Sequence, residues 1–169
     1  MNIPKLIITD VDGVLTDGGM YYDNKDNEWK KFNTSDSWGV AFCKALKIPV
    51  AIITGENTNI VKRRGEKLKL EEVLMGVQDK LKAADGLREK YKLDWKDIAF
   101  IGDDINDLKL LQKVGYSACT QNAPAYIKDK VNTVTKKNGG DGAFREYVEL
   151  LLTKKYTIGE LIEMVTKNK

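Results

Sequence analysis

Histidine is absent from all 169 residues of the chain. That gap excludes a Ser-His-Asp triad, an imidazole general base, a phosphohistidine and any His-ligated zinc centre. Cysteine is nearly absent too. Cys43 and Cys119 lie far apart, neither in a Cys-x-x-Cys pair, and read as two reduced, partly buried thiols. No apolar run approaches the roughly 18 residues that a membrane span needs. The opening stretch, MNIPKLIITD, lacks signal-peptide anatomy: Lys5 sits inside an apparent strand and acid follows at once, so a cytoplasmic location is expected. The net charge is only +3, which fits a small anionic substrate and lends little support to a nucleic-acid partner. Acid–base chemistry must therefore fall to carboxylates, Lys, Tyr or Cys.

What is present is an ordinary globular composition, 42% apolar and 31% charged, at a length that suits one domain with a substantial core. The pattern alternates strands and helices. Apolar runs at 5–10, 50–54, 73–76, 98–104, 116–120 and 131–135 read as strands. Helices are expected over about 36–46, 58–69, 80–91, 105–113, 142–154 and 157–167. The aromatic flanks around Asp23-Asn24-Lys25-Asp26-Asn27 predict a β-hairpin within 18–33. Such alternation implies an α/β fold: a Rossmann-like parallel sheet with helices on both faces, the hairpin as a small insertion, over a single domain 1–169. Asn138–Gly142 reads as the most flexible segment.

Polar residues gather where the strands end, the place where open parallel sheets bind ligands. Asp10-Val11-Asp12-Gly13 follows the first strand. Residues two apart on an extended chain can point the same way, so two carboxylates can share a site while Gly13 lets the backbone turn and expose amides. An ordinary solvated turn has the same sequence. Gly102-Asp103-Asp104-Ile105-Asn106-Asp107 follows a later strand. Carboxylates so crowded repel one another unless a hard divalent cation such as Mg²⁺ joins them; an acid-rich helix start is the plain alternative. Thr54-Gly55 ends another strand and can bind an anion with help from backbone amides. Lys80 can neutralise phosphate charge.

With DVDGVLTDG (10–18), ITG (53–55), Lys80 and GDDINDL (102–108) in this order, the chain resembles the haloacid dehalogenase superfamily. The resemblance implies Asp10 as nucleophile and Asp12 as acid and then base. It implies Mg²⁺ held by Asp10, Asp103 and the main-chain carbonyl of Asp12, with Asp104 and Asp107 orienting the metal shell. Gly13, Thr54, Gly55 and Lys80 would bind the phosphoryl group. The presence of Asp12 points to phosphatase or phosphomutase chemistry.

The intervals between these motifs are too short for the cap domain most relatives carry. The capless arrangement resembles the tetrameric 3-deoxy-octulosonate 8-phosphate phosphatase group, in which hairpins build the tetramer core and one subunit covers its neighbour's site. That resemblance includes FNTSDSWGV (32–40) and GGDGAFREYVELLL (139–152), and brings Arg145 into view as a substrate contact. One departure is Glu56, where arginine is usual in that group. Glu56 can accept bonds from substrate hydroxyls, and Arg64 or Lys67 can pair with a substrate carboxylate. On that basis the favoured substrate is the nine-carbon 2-keto-3-deoxy nonulosonate 9-phosphate, with the eight-carbon 8-phosphate as the alternative. A receiver-type signalling domain also uses Asp, Thr, Lys and Mg²⁺, but there the acidic pair follows the first strand and the acceptor the third. A catalytically idle binding module is the remaining class, against which the complete acidic set argues.

Overall fold

The structure is a computed structural model that describes residues 2–167. The first half of the chain runs β1 (Leu6–Thr9), β2 (Tyr21–Tyr22), β3 (Glu28–Trp29), α1 (Asp36–Ala45), β4 (Val50–Ile53), α2 (Asn59–Leu68), β5 (Glu72–Leu74) and α3 (Lys80–Lys90). The second runs β6 (Ile98–Gly102), α4 (Leu108–Leu111), β7 (Tyr116–Cys119), α5 (Ala125–Lys128), β8 (Thr133–Val134), α6 (Ala143–Leu152) and α7 (Ile158–Lys167). Single 3-10 turns occupy Trp95–Asp97 and Ile105–Asp107.

Six strands form one parallel sheet in the order β5-β4-β1-β6-β7-β8. The central strand β1 reads Leu-Ile-Ile-Thr, and all four residues are buried. A strand covered on both faces needs such an unbroken apolar run. Its side chains alternate between two cores. Ile7 packs with Ile52, Ile101, Phe144, Tyr147 and Leu161 on the face carrying α1, α2, α6 and α7. Leu6 and Ile8 pack with Ile53, Phe100, Leu87, Leu111 and Ile127 on the face carrying α3, α4 and α5. Each such buried Leu or Ile contributes about 1.5–3 kcal/mol.

The chain leaves β1 for β4 on one side and places β6 on the other. This reversal opens a crevice beyond the carboxyl ends of β1 and β6. Local caps aim the helices there. The Thr58 hydroxyl accepts from the Val61 amide, and the Asp79 carboxylate accepts from the Lys82 amide at 3.0 Å, which starts α3 at Lys80.

Between the first and second motifs lie only the hairpin and α1, and between the second and third only α2 and β5, so no cap is present. The hairpin is smaller than expected: two pairs, Tyr21 with Trp29 and Tyr22 with Glu28, with an isolated bridge from Thr16 to Phe32. The helix expected over 105–113 is instead a 3-10 turn followed by four α-helical residues. The reason is Asp107, whose carboxylate turns back to accept the amides of Asp103 at 2.9 Å and Asp104 at 3.4 Å, which tightens the first turn. The last strand shrinks to Thr133–Val134, and α5, which follows Pro124, has no counterpart in the sequence reading.

Candidate active site

Asp10, Asp103 and Asp107 converge at the tips of β1 and β6. One carboxylate oxygen of each lies within 4.8 Å of the others. The register explains this: Thr9 pairs with Ile101, so Asp10 and Asp103 leave their strands side by side. From α3, the buried Lys80 ammonium reaches Asp10 Oδ1 at 2.9 Å and Asp107 Oδ1 at 2.6 Å. Three carboxylates face one ammonium. Two negative charges remain in excess, the charge of one divalent cation.

The titration behaviour carries the same message. Burial, then repulsion from Asp107, pushes Asp10 up to about 7 despite the pull of Lys80. Burial, then Asp10, Asp107 and Asp104, pushes Asp103 up to about 8. Burial works against the charge on Lys80, but attraction to Asp10 and Asp107 outweighs it and the net shift is upward. Hard carboxylate oxygens crowded to this degree fit a Mg²⁺ ion. The close approach also fixes Gly13. Its φ is +77°, and a β-carbon there would stand 1.9 Å from Asp103 Oδ2, so only glycine fits.

Asp12 lies at the edge of this cluster. Its Oδ1 accepts from Lys30 Nζ at 2.7 Å and from the Thr16 hydroxyl at 3.3 Å, while its Oδ2 is buried without a partner. Lys30, at the end of the hairpin, has a side chain only 1% exposed and also meets Glu28 at 3.5 Å. Burial opposes its charge, but the bond and attraction from Asp12, then Glu28 and Glu56, raise its pKa on balance. Sequence reading missed Lys30, because Lys30-Lys31 looks like a solvated pair. The available signal was alternation: Glu28, Lys30 and Phe32 share one side of an extended chain, and Phe32 is apolar.

Thr54 is buried at the tip of β4, next to β1, and its hydroxyl accepts from the Glu56 amide at 3.2 Å. Gly55 and Glu56 are exposed there. Asp104 faces solvent and caps the 3-10 turn, accepting from the Ile105 amide at 2.8 Å. Asp107 is fully engaged by Lys80 and by backbone amides. Arg64 donates to the Asn33 carbonyl at 2.8 Å and lies 5.3 Å from the Phe32 ring, and burial lowers its pKa. Lys67 is exposed on the same helix. The Arg145 guanidinium pairs with Glu149 at 2.8 Å, and the Arg145 amide donates to the buried Asp36 carboxylate, so within its own chain this arginine is not brought to the acidic cluster.

The segment expected to be flexible is instead packed onto the acidic loop. The Gly140 amide donates to the Val14 carbonyl, the Gly139 amide donates to Asn122, and the Asn33 amide group donates to the Gly140 carbonyl. A β-carbon on Gly139 would sit 1.9 Å from the Gly13 carbonyl oxygen. Both cysteines are free and buried. A cavity of about 490 Å³ lies at the other ends of the strands, lined by Lys5, Lys44, Ile48 and Lys69 among others, and touches none of these residues.

Hydrolases and receiver-type domains alike place carboxylates beyond the central strands of a parallel sheet; sequence similarity decides between them, and the chain belongs to the haloacid dehalogenase-like hydrolases. The family model of that description matches residues 69–146. The chain is similar to the 3-deoxy-D-manno-octulosonate 8-phosphate phosphatase of Escherichia coli K12, 38% identical over 148 residues, 88% of this chain and 79% of that protein. It also superposes on the crystal structure of the same-named phosphatase from Moraxella catarrhalis in complex with magnesium, phosphate and the KDO molecule. That match has a TM-score of 0.90 at 33% identity, covering 98% of this chain and 94% of the other. The cobalt-bound Haemophilus influenzae phosphatase gives 0.88 at 32% identity, covering 95% and 96%. No helix among the described residues is long and apolar enough to cross a membrane.

Proposed function

We propose that this chain is a Mg²⁺-dependent phosphatase of a 2-keto-3-deoxy sugar-acid phosphate, working through an aspartyl-phosphate at Asp10. The observation that carries it is Asp10 itself: a buried carboxylate flanked by Lys80 at 2.9 Å, clustered with Asp103 and Asp107, with Asp12 two residues on. The carboxylates of Asp10 and Asp103, with the main-chain carbonyl of Asp12, would hold the ion, and Asp107 would orient this set. When bound, the cation offsets the repulsion between a carboxylate nucleophile and a phosphate dianion.

In the first half-reaction an Asp10 oxygen forms a bond to phosphorus as the ester P–O bond breaks. Asp12 gives a proton to the departing sugar oxygen. In the second half, Asp12 takes a proton from water as the water attacks phosphorus, which releases phosphate and restores Asp10. Lys80 balances charge on the phosphoryl oxygens, and the Thr54 hydroxyl and Gly55 backbone hold them. Splitting one hard displacement into two lowers each barrier.

For the substrate, the named relatives all support 3-deoxy-D-manno-octulosonate 8-phosphate, and they shift the weight from the nine-carbon ester to the eight-carbon one. The nine-carbon reading keeps one specific observation. Glu56 stands exposed at the β4 tip, within electrostatic reach of Lys30, where a longer polyhydroxyl chain would meet it. Arg64 and Lys67 remain the proposed partners of the substrate carboxylate. The proposed assembly is a homotetramer built on the hairpin, whose Met20, Tyr21, Tyr22 and Trp29 are 43% to 64% exposed.

A phosphate-release screen over sugar-acid phosphates with Mg²⁺, with Asp10→Asn as control, tests the reading. Turnover of the octulosonate ester, lost in the variant, is expected. Wild-type turnover by Asp10→Asn would overturn the mechanism, and a clear preference for the nonulosonate ester would restore the nine-carbon reading.

A further inference from the structure

The carboxylate of Asp12 is asymmetric. Two donors, Lys30 Nζ at 2.7 Å and the Thr16 hydroxyl at 3.3 Å, converge on Oδ1. None among the described residues reaches Oδ2, although that atom is buried. We propose that Lys30 is a positioning residue for acid catalysis: by binding Oδ1 it fixes the side-chain rotation of Asp12 and leaves Oδ2 as the oxygen presented to the leaving group. The inference rests on the phosphatase reading above and deepens it.

The fold supplies Lys30 from a distance. It sits at the end of β3, on the return limb of a hairpin that the main sheet does not include. That limb is tied down beside the acidic loop by the bridge from Thr16 to Phe32 and by the bond from Asn33 to Gly140. Tyr21 adds a hydroxyl bond to Asp17 at 2.6 Å from the other limb. A lysine that served only solubility would not be 1% exposed on its side chain and aimed at a carboxylate. The seating of the hairpin and the aim of the acid are thereby one structural event.

General-acid help matters in proportion to how poor the leaving group is. A sugar alkoxide needs a proton as it departs, whereas nitrophenolate leaves as a stable anion. The test measures kcat and KM for wild type, Lys30→Met and Lys30→Arg on two esters, p-nitrophenyl phosphate and a sugar phosphate that the wild type turns over, both with Mg²⁺. In Lys30→Met the ratio of kcat on the sugar ester to kcat on the aryl ester should fall at least about tenfold, part of the 10²–10⁴ that acid catalysis supplies. Lys30→Arg should recover much of that ratio, since it returns a cationic donor. Aryl turnover in the same samples reports that the site is folded. An unchanged ratio, or a rise in KM alone, would overturn the role of Lys30 while leaving the phosphatase reading intact. A wild type that hydrolyses neither ester would overturn both.

Discussion

Withdrawing the cation should make the stability of this protein fall as pH rises. In the metal-free protein Asp103 titrates near 8 instead of 3.8, and Asp10 near 7, because burial and mutual repulsion disfavour their charged forms. Folded pKa values above the unfolded ones mean that the folded state holds protons the unfolded state has released. Stability is therefore complete below about 4 and is lost as pH climbs through about 8. For Asp103 the rise from 3.8 to about 8, at about 1.4 kcal/mol per pH unit, sets a ceiling of about 6 kcal/mol. Water at the half-buried strand tip screens part of that, leaving about 2 kcal/mol. For a chain of this size, 2 kcal/mol corresponds to about 4–8 °C in Tm. The assay is thermal unfolding by circular dichroism, with chelator or with saturating Mg²⁺, at several pH values across that window. Tm in chelator should drop with rising pH, Mg²⁺ should restore it, and Asp103→Asn should make the drop in chelator shallower, leaving the part that Asp10 contributes. A metal-free Tm that is flat or rising with pH, and the same in Asp103→Asn, would rule out raised folded-state pKa values at this cluster.

Lys80→Met leaves Asp10 and Asp107 buried without their counter-ion, so turnover should fall by orders of magnitude and stability by about 3 kcal/mol, read by kinetics and denaturant unfolding. Gly139→Ala drives a methyl group against the Gly13 carbonyl and should lower both kcat and Tm, whereas Gly86→Ala, with open space at its β-carbon inside α3, should raise Tm slightly. Trp29→Asp places charge on the exposed hairpin face; light scattering should find a smaller assembly than the wild type's, and an unchanged mass would remove the hairpin from the proposed interface.

The sheet was legible because parallel strands buried on both faces leave unbroken apolar runs, as in Leu6–Thr9 and Ile98–Gly102. The acidic residues were legible because they stand directly after those runs. Contacts over long sequence distance were not. Nothing in the local sequence marks Lys30, next to Lys31, as buried, and only the folding of the hairpin over Asp12 buries it. Asn138–Gly142 reads as the most flexible segment because glycine signals freedom, yet Gly139 is glycine for the opposite reason: the acidic loop comes too close for any side chain. The short helical turn after Asp103 was misjudged because an acid-rich start suits a helix, while Asp107 spends its carboxylate on the amides before it and on Lys80. Arg145 was placed in view by a motif, but its helix gives it Glu149 as a partner.

Turnover requires Asp10 to form a bond to phosphorus, and chemical trapping detects that bond. Wild-type protein turning over a sugar-acid phosphate with Mg²⁺ is quenched in acid, reduced with borohydride and digested for peptide mass spectrometry. An acyl phosphate at Asp10 is reduced to homoserine at position 10, which is expected in wild type and not in Asp10→Asn. Steady turnover with an unmodified Asp10, or homoserine at position 12 instead, would show that Asp10 is not the nucleophile.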